Sequence, residues 1–480
     1  MIGYAMPAAA EILVFFMANI TLLVGLFVKD KKFTDTTYYL TQATLILAAI
    51  ITAYQFNLPK QIIFNGSFIQ DNFAVLLKVM IYACGFFTFL YSRQYLREKH
   101  MHFNEFLVLG LFSILGMMIL VSAQSFLTVF LGLELTSLPI YAMIAFKRDS
   151  GICAEAAVKY FIIGTMATGL LLYGLSMIYG ATGSLLLHEV ANAIGQTPKQ
   201  NQLILILGLV FVVVGIAFKL GGVPFHMWVP DVYEGAPTPV TLFLATGSKV
   251  AGLGMAIRLL VFAMPTLVVQ WQQQLIFIAV LSIAIGNIIA IVQSNLKRML
   301  AYSSIAHIGY MILGILAGTA QGYAAATFYI ISYAIMTLGA FGLIVILSRT
   351  GFEMEDIDDF KGLNAKNPWL AFLMMIIMFS LAGIPPIVGF MAKVGVIEAL
   401  LEVNMVWLAV VAIVFSVIGS YYYLRVVKVM YFEKPDMPGV IVCPLDMRIA
   451  MTVNSLAILL LGIFPGVLFN LCHAAFFLTS

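Results

Sequence analysis

Charge is what this sequence has least of. Of its 480 residues only 10% are Asp, Glu, Lys or Arg, against 62% hydrophobic. A soluble domain carries about 25% charged residues, so a water-facing surface cannot be built from this composition. Cysteine is also scarce: Cys84, Cys153, Cys443 and Cys472 are scattered, with no CxxC. That spacing supplies no metal site, iron–sulfur cluster or disulfide framework. No glycine-rich loop follows a strand pattern, which excludes a phosphate cradle for a nucleotide. The net charge of +3 is too small to suggest nucleic acid. No basic n-region precedes the first apolar run, which holds Glu11. That run is expected to be a retained span rather than a cleaved signal peptide.

What is present is apolar sequence in long stretches, as around Leu203–Phe218 and Leu370–Leu381. In lipid every backbone polar group must be satisfied internally, which leaves helices or closed barrels. A bilayer core of ~30 Å needs about 20 helical residues, whereas barrel strands are about half as long and alternate. The expected fold is an all-α integral membrane protein of about 14 transmembrane helices. They are placed near 8–28, 37–56, 72–91, 104–122, 126–146, 156–180, 203–226, 239–263, 273–293, 300–318, 322–347, 368–400, 404–424 and 450–472. Only Ala123–Gln124–Ser125 separates spans 4 and 5.

Alternate loops differ sharply in charge. One set holds Lys29, Lys31, Lys32, Arg93, Arg97, Lys99, Lys147, Arg148, Lys297, Arg298, Arg349, Lys361, Lys366, Arg425, Lys428, Lys434 and Arg448; the other holds Lys60 and Lys199. The positive-inside rule puts the first set in the cytoplasm and both termini outside. The cytoplasmic loop Glu353–Lys361 is strongly acidic, which fits a solvated loop or a docking surface.

Six basic residues remain inside spans: Lys78, Lys159, Lys219, Lys249, Arg258 and Lys393. Each costs roughly 2.5–3.5 kcal/mol at mid-bilayer, so function is sought there. Lys78 and Lys159 lie nearer span ends and are expected to snorkel; Arg258 reads as structural. Glu134, near the middle of span 5, is too deep to snorkel. It fits either a structural ion pair or a switch partner for Lys219 in span 7. Desolvation disfavours a charged lysine and a nearby carboxylate favours it, so opening and closing such a pair would release and recapture a proton. Arginine could not do this, because it does not deprotonate. Lys249 is central in span 8 and reads as a middle relay. Lys393, in the outer half of span 12, reads as an exit station or a snorkelling residue. His226 would share a face with Lys219 if the helix continued. His307 lies about two turns into span 10. Each histidine is either a proton relay or a hydrogen-bonded core residue. Tyr302, Ser303, Ser304, Thr246 and Ser248 could hold waters between the charges.

A repeat is also visible. Phe218-Lys219-Leu220-Gly221-Gly222-Val223-Pro224 matches Phe379-Ser380-Leu381-Ala382-Gly383-Ile384-Pro385, and Tyr160-Phe161-Ile162-Ile163 loosely echoes Tyr329-Ile330-Ile331. The matched spans, 7 and 12, are an odd number apart and run in opposite directions. The reading is two five-helix repeats of inverted topology with discontinuous helices 7 and 12, a pattern that points to an ion pathway. The expected organisation is a three-helix segment over 1–102, repeats over 103–263 and 264–431, and a loop and last helix over 432–480.

The segment from Phe218 through Trp228-Val229-Pro230-Asp231-Val232-Tyr233-Glu234-Gly235-Ala236-Pro237-Thr238-Pro239-Val240 resembles the antiporter-like subunits of bacterial NADH–quinone oxidoreductase, respiratory complex I. So do Asn295-Leu296-Lys297-Arg298-Met299-Leu300-Ala301-Tyr302-Ser303-Ser304-Ile305-Ala306-His307 and Ser380-Leu381-Ala382-Gly383-Ile384-Pro385-Pro386. The subunit N branch is most similar. Subunit L adds a lateral helix and spans not found before Ser480. Subunit M typically has glutamate where this chain has Lys393, and sister antiporter subunits usually carry a histidine where this chain has Asp231-Val232-Tyr233-Glu234-Gly235.

The resemblance implies that Glu134 and Lys219 form a coupled pair, with Lys249 the central relay and Lys393 the outer exit. It implies proton transport in a bacterial inner membrane, with other membrane-arm subunits as partners. It implies no cofactor bound by this chain; NADH, FMN, iron–sulfur clusters and quinone belong to other subunits. A cation/proton antiporter subunit, a non-pumping scaffold and a solute symporter are the competing readings.

Overall fold

The computed structural model describes residues 6–27, 34–101, 103–196, 202–348, 352–435 and 443–477. Lys29, Lys31, Lys32, Lys199 and Arg349 among the loop charges, and position 102 at the end of the three-helix segment, lie outside them.

Among the described residues, thirteen helices are long and apolar enough to cross a membrane: Met6–Phe27, Asp35–Tyr54, Asn72–Glu98, Phe103–Val121, Phe126–Ile144, Gly151–Thr182, Gln202–Leu220, Thr238–Phe262, Pro265–Ile291, Leu296–Leu316, Ala320–Leu347, Val406–Phe432 and Leu445–Ile463. They are spans 1–11, 13 and 14. Two half-helices, Pro368–Ala382 and Val388–Glu402, supply span 12. Span 7 is also continued past a break, by Trp228–Gly235. Its end therefore falls later than the apolar run suggests, because the second half is amphipathic.

Helix starts follow from capping chemistry. A side-chain oxygen ahead of the first turn accepts an otherwise unpaired amide. Asp71 does this for Ala74, Ser125 for Thr128, Asn295 for Arg298 and Thr319 for Gly322. The Ser125 cap explains why three residues suffice between spans 4 and 5. Outside the spans lie an antiparallel hairpin, Gln61–Ile63 with Phe68–Gln70, and an amphipathic helix, Leu187–Gln196, that buries Leu187, Val190 and Ile194.

Spans 8, 10 and 11 form the buried centre, while spans 1, 6 and 13 expose apolar side chains along the rim. Span 8 is irregular. It is interrupted at Thr246, whose φ and ψ are −114° and −87°, and turns π-helical over Ile257–Phe262. Small residues bring other backbones into contact. A methyl group on Gly132 of span 5 would stand 2.6 Å from the backbone nitrogen of Leu120 in span 4, and one on Gly174 of span 6 would stand 2.6 Å from Gly208 O in span 7.

Candidate functional site

Spans 7 and 12 break by the same device. Their first halves end at Leu220 and Ala382. A left-handed glycine follows each, Gly221 at φ +77° and Gly383 at φ +85°, a region glycine enters without steric cost. The next amides fold back in a Schellman turn. Gly221 N–H donates to Phe218 O (2.9 Å) and Gly222 N–H to Ala217 O (2.7 Å). Gly383 N–H donates to Ser380 O (3.0 Å) and Ile384 N–H to Phe379 O (3.0 Å). Against the heptapeptide alignment, the second break falls one residue later. The cis peptides, Val223–Pro224 and Pro385–Pro386, are displaced by the same step.

Each turn leaves the last helical carbonyl to a lysine. Lys249 Nζ donates to Leu220 O at 2.6 Å, and Lys393 Nζ to Ala382 O at 2.8 Å and Ser416 Oγ at 2.9 Å. A helix C-terminus carries about half a negative charge, so each ammonium is held by carbonyl dipoles. Aromatic faces assist: Trp228 lies 5.2 Å from Lys249 Nζ and Tyr310 lies 5.3 Å from Lys393 Nζ. Lys249 is 1% exposed, Lys219 4% and Lys393 8%. Among the described residues none of the three forms an ion pair with a carboxylate; they bond hydroxyls and carbonyls instead.

The structure brings Glu134 and Lys219 near each other but leaves the pair open. Lys219 Nζ donates to Ser137 Oγ at 3.0 Å. Glu134 stands one turn before Ser137, on the same face of span 5, and is half-buried. The lysine is thus seated on a hydroxyl one turn away from a carboxylate.

His307 is clamped. Its Nδ1 bonds Tyr329 OH at 2.7 Å and its Nε2 bonds Tyr423 OH at 3.1 Å, and Tyr423 OH also meets Ser303 Oγ. A neutral imidazole donates from one nitrogen and accepts at the other, so this chain is polar in one direction at a time and can invert. His226 is different. The helix does not continue past Gly221, so the shared face with Lys219 does not form. His226 sits half-buried in the turn, with Nδ1 lacking a hydrogen-bond partner.

Of the two lysines expected to snorkel, Lys78 does not and Lys159 keeps its side chain 42% exposed. Lys78 is 1% exposed, paired to Glu11 at 2.6 Å and bonded to Gln70 at 2.8 Å. A carboxylate from span 1 replaces the water it would have sought. Lys159 bonds Glu155 (2.7 Å) and Asp231 (2.9 Å), and Arg298 binds Asp231 and Glu234, fixing the second half of span 7 to spans 6 and 10. Arg258 is structural, as expected: it binds Asp71 through two 2.8 Å bonds and donates to Val121 O. The acidic loop is tied down by Lys99–Glu353 and Lys297–Glu355 pairs, both 2.8 Å. Ser137, Ser416, Trp228, Tyr329 and Tyr423 were not singled out from sequence as site residues; Trp228 carried a signal only as part of the resembling segment, and Tyr329 only as part of the looser repeat. No cluster of metal-ligating side chains occurs among the described residues.

The family described as NADH:quinone oxidoreductase/Mrp antiporter, TM, matches residues 123–419, which takes in both breaks. NADH-quinone oxidoreductase subunit N of Coxiella burnetii is 58% identical over 475 residues, 98% of each chain. This chain belongs to the NADH-quinone oxidoreductase subunit N family. Subunit N of Thioalkalivibrio sulfidiphilus is 52% identical, again over 98% of each chain. Among solved structures, a chain of respiratory complex I from Thermus thermophilus with bound aureothin superposes with a TM-score of 0.83 at 30% identity, covering 97% of this chain and 99% of that one. A chain of the Mrp complex from Dietzia sp. shares the fold, with a TM-score of 0.85 at 19% identity over 98% of this chain and 96% of that one. Membership in the subunit N family makes this a multi-pass membrane protein of the complex I membrane arm.

Proposed function

We propose that this chain carries protons across a bacterial inner membrane as part of NADH–quinone oxidoreductase, along Lys219, Lys249, His307 and Lys393. The carrying observation is three buried lysines, none ion-paired among the described residues, two of them capping interrupted helices. A buried lysine balanced by dipoles alone holds a proton that a small electrostatic change can dislodge.

Glu134 is the control point. When Lys219 leaves Ser137 for Glu134 the pair closes and the proton is retained; when it returns, the proton is free to pass to Lys249. His307 then relays it by exchanging tautomers between Tyr329 and Tyr423. Lys393 delivers it to the outer side, where both termini also lie. The proposed organisation is an N-terminal segment over 1–102, repeats over 103–263 and 264–431, and a C-terminal segment from 432. His226 is assigned no proton-carrying role.

Other subunits hold NADH, FMN, the iron–sulfur clusters and quinone, and this chain has no redox centre of its own. Non-helical backbone at membrane depth must be covered by protein. Met227, in the span 7 turn, is 74% exposed, which supports a neighbouring membrane subunit seated there. A cation/proton antiporter subunit is the second reading, favoured by the fold shared with the Mrp complex; purification with a flavoprotein arm excludes it.

The test is Lys219→Ala in the assembled complex, with proton pumping and NADH-to-quinone electron transfer measured together. Both should fall strongly, because coupled steps stall together. Wild-type values for both in a verified assembly would refute the switch.

A further inference from the structure

Two helices begin side by side at the lysine-rich end of the bundle. The first half of span 12 starts at Pro368 and span 14 at Leu445, and the two pack on each other. Between them opens a groove of about 390 Å³, lined by Trp369 of span 12 and by Leu445, Arg448, Ile449, Thr452 and Val453 of span 14. Its floor is apolar: Leu445, Ile449 and Val453 are exposed and, four residues apart, share one helix face. Its rim is polar. Trp369 Nε1 donates to Thr452 Oγ1 at 2.9 Å, and Thr452 Oγ1 donates to Arg448 O at 2.7 Å. Tryptophan concentrates at membrane–water interfaces, so this bond sits at headgroup depth. Arg448 stands in the first turn of span 14, where the helix dipole disfavours a cation. Its side chain is exposed and, among the described residues, forms no ion pair or side-chain hydrogen bond. Asp446 does not neutralise it: that carboxylate accepts Met447 N–H at 2.9 Å and does not line the groove. Lys366, three residues ahead of Trp369, ends the short helix Leu363–Lys366 and brings a second cation to this end. The positive-inside rule accounts for basic residues here, but not for an unpaired one in a first turn above an apolar groove.

We infer that this groove binds an anionic phospholipid of the adjoining leaflet, with its phosphate on Arg448 and one acyl chain along Ile449 and Val453. The guanidinium forms forked hydrogen bonds to phosphate oxygens, and the positive ends of two helices converge on the same point. Basic pockets between membrane helices at this face suit anionic headgroups. A helix from a neighbouring protein would cover the apolar floor equally well but would leave the cation unanswered; a phospholipid supplies the charge and the chain together. Span 14 also meets span 12 beyond its break, where a methyl group on Gly462 would stand 2.3 Å from Pro386 O. Span 14 is therefore a splint across the break, and the lipid is a wedge that holds one end of the splint. The site stands whether or not span 12 carries protons.

The test uses the assembled complex in vesicles containing a trace of phosphatidylglycerol or of phosphatidylcholine, each with a photoactivatable diazirine on one acyl chain, followed by mapping of the labelled peptides. Phosphatidylcholine carries the same phosphate beside a fixed cation, so the contrast reads net charge. Labelling of the Leu445–Val453 stretch should favour phosphatidylglycerol about fivefold, the worth of one basic residue at an anionic surface. Arg448→Gln should abolish that preference and Arg448→Lys should keep it, while labelling at the exposed Phe161 and Met166 of span 6 stays unchanged. Val453→Trp fills the groove and should lower labelling of the stretch by both lipids. Equal labelling by the two lipids in the wild type, a preference that survives Arg448→Gln, or no effect of Val453→Trp would each overturn the site. So would a complete lack of labelling there in the assembled complex, because a neighbouring subunit would then occupy the groove.

Discussion

The two broken helices share a backbone and differ in charge. In the first, position 219 is a lysine that reaches span 5; at the matching position in the second stands Ser380, whose Oγ accepts the amide of Gly389 in its own span at 3.1 Å. The first break borrows that service from another span, with Ser282 accepting Val223 N–H at 2.9 Å. The capping lysine comes from the next span at the first break and from the same span at the second. The first break is therefore crowded by two lysines and open to outside influence, and the second is self-contained with one. Like charges close together in a low dielectric repel strongly, so in the proposed pathway a proton at the crowded break would be driven toward the solitary lysine. On that proposal, one folding motif would serve as a loaded end and a receiving end.

The sharpest way to break this comparison is to keep each cap and remove the proton chemistry. Lys249→Arg and Lys393→Arg both retain a cation for Leu220 O or Ala382 O, yet arginine does not release a proton. Pumping should fall about a hundredfold or more in each, with the complex assembled normally. Full pumping by either variant would make that lysine a structural cap. Gly221→Ala and Gly383→Ala come next. The left-handed turn costs an alanine about 1–2 kcal/mol, and its methyl group would lie 3.1 Å from Lys249 Nζ or 2.9 Å from Lys393 Nζ. Thermal unfolding of the purified complex should show matched losses of stability, and unequal losses would mean that the two turns are not equivalent. The smallest effect belongs to the hydroxyl seats. Ser137→Ala and Ser416→Ala each remove one hydrogen bond, worth about 1 kcal/mol. Ser137→Ala should alter coupled electron transfer more, because Lys393 keeps its carbonyl while Lys219 is left only Glu134. Equal effects in a steady-state assay would argue against a two-seat switch.

Much of this was legible in the sequence because it is local. Span positions follow from apolar length, and the shared Gly-Gly-Val-Pro and Ala-Gly-Ile-Pro strings announced both breaks. The contacts that give the lysines their chemistry are not local. Ser137 and Lys219 are 82 residues apart and His307 and Tyr423 are 116 apart, and no periodicity links them. Lys78 was misread for the same reason: its partner, Glu11, lies in another span and looked like part of an isolated apolar run. The Thr246 interruption left no mark either, since threonine and glycine are ordinary in membrane helices. His226 was expected on the Lys219 face only if the helix continued, and the helix stops at Leu220.

The glycine contacts described with the fold have a mechanical corollary. Gly132 welds span 5 to span 4, and Gly174 welds span 6 to the first half of span 7, backbone against backbone. Packed interfaces of this kind do not deform continuously. Glu134 rides on one welded pair and Lys219 on the other, like the two jaws of a caliper. Their separation changes only if the jaws slide as rigid bodies or the lysine side chain swings across the gap. A neighbour pressing on either jaw would therefore set the gauge at its full displacement, with none of the push absorbed by bending along the way.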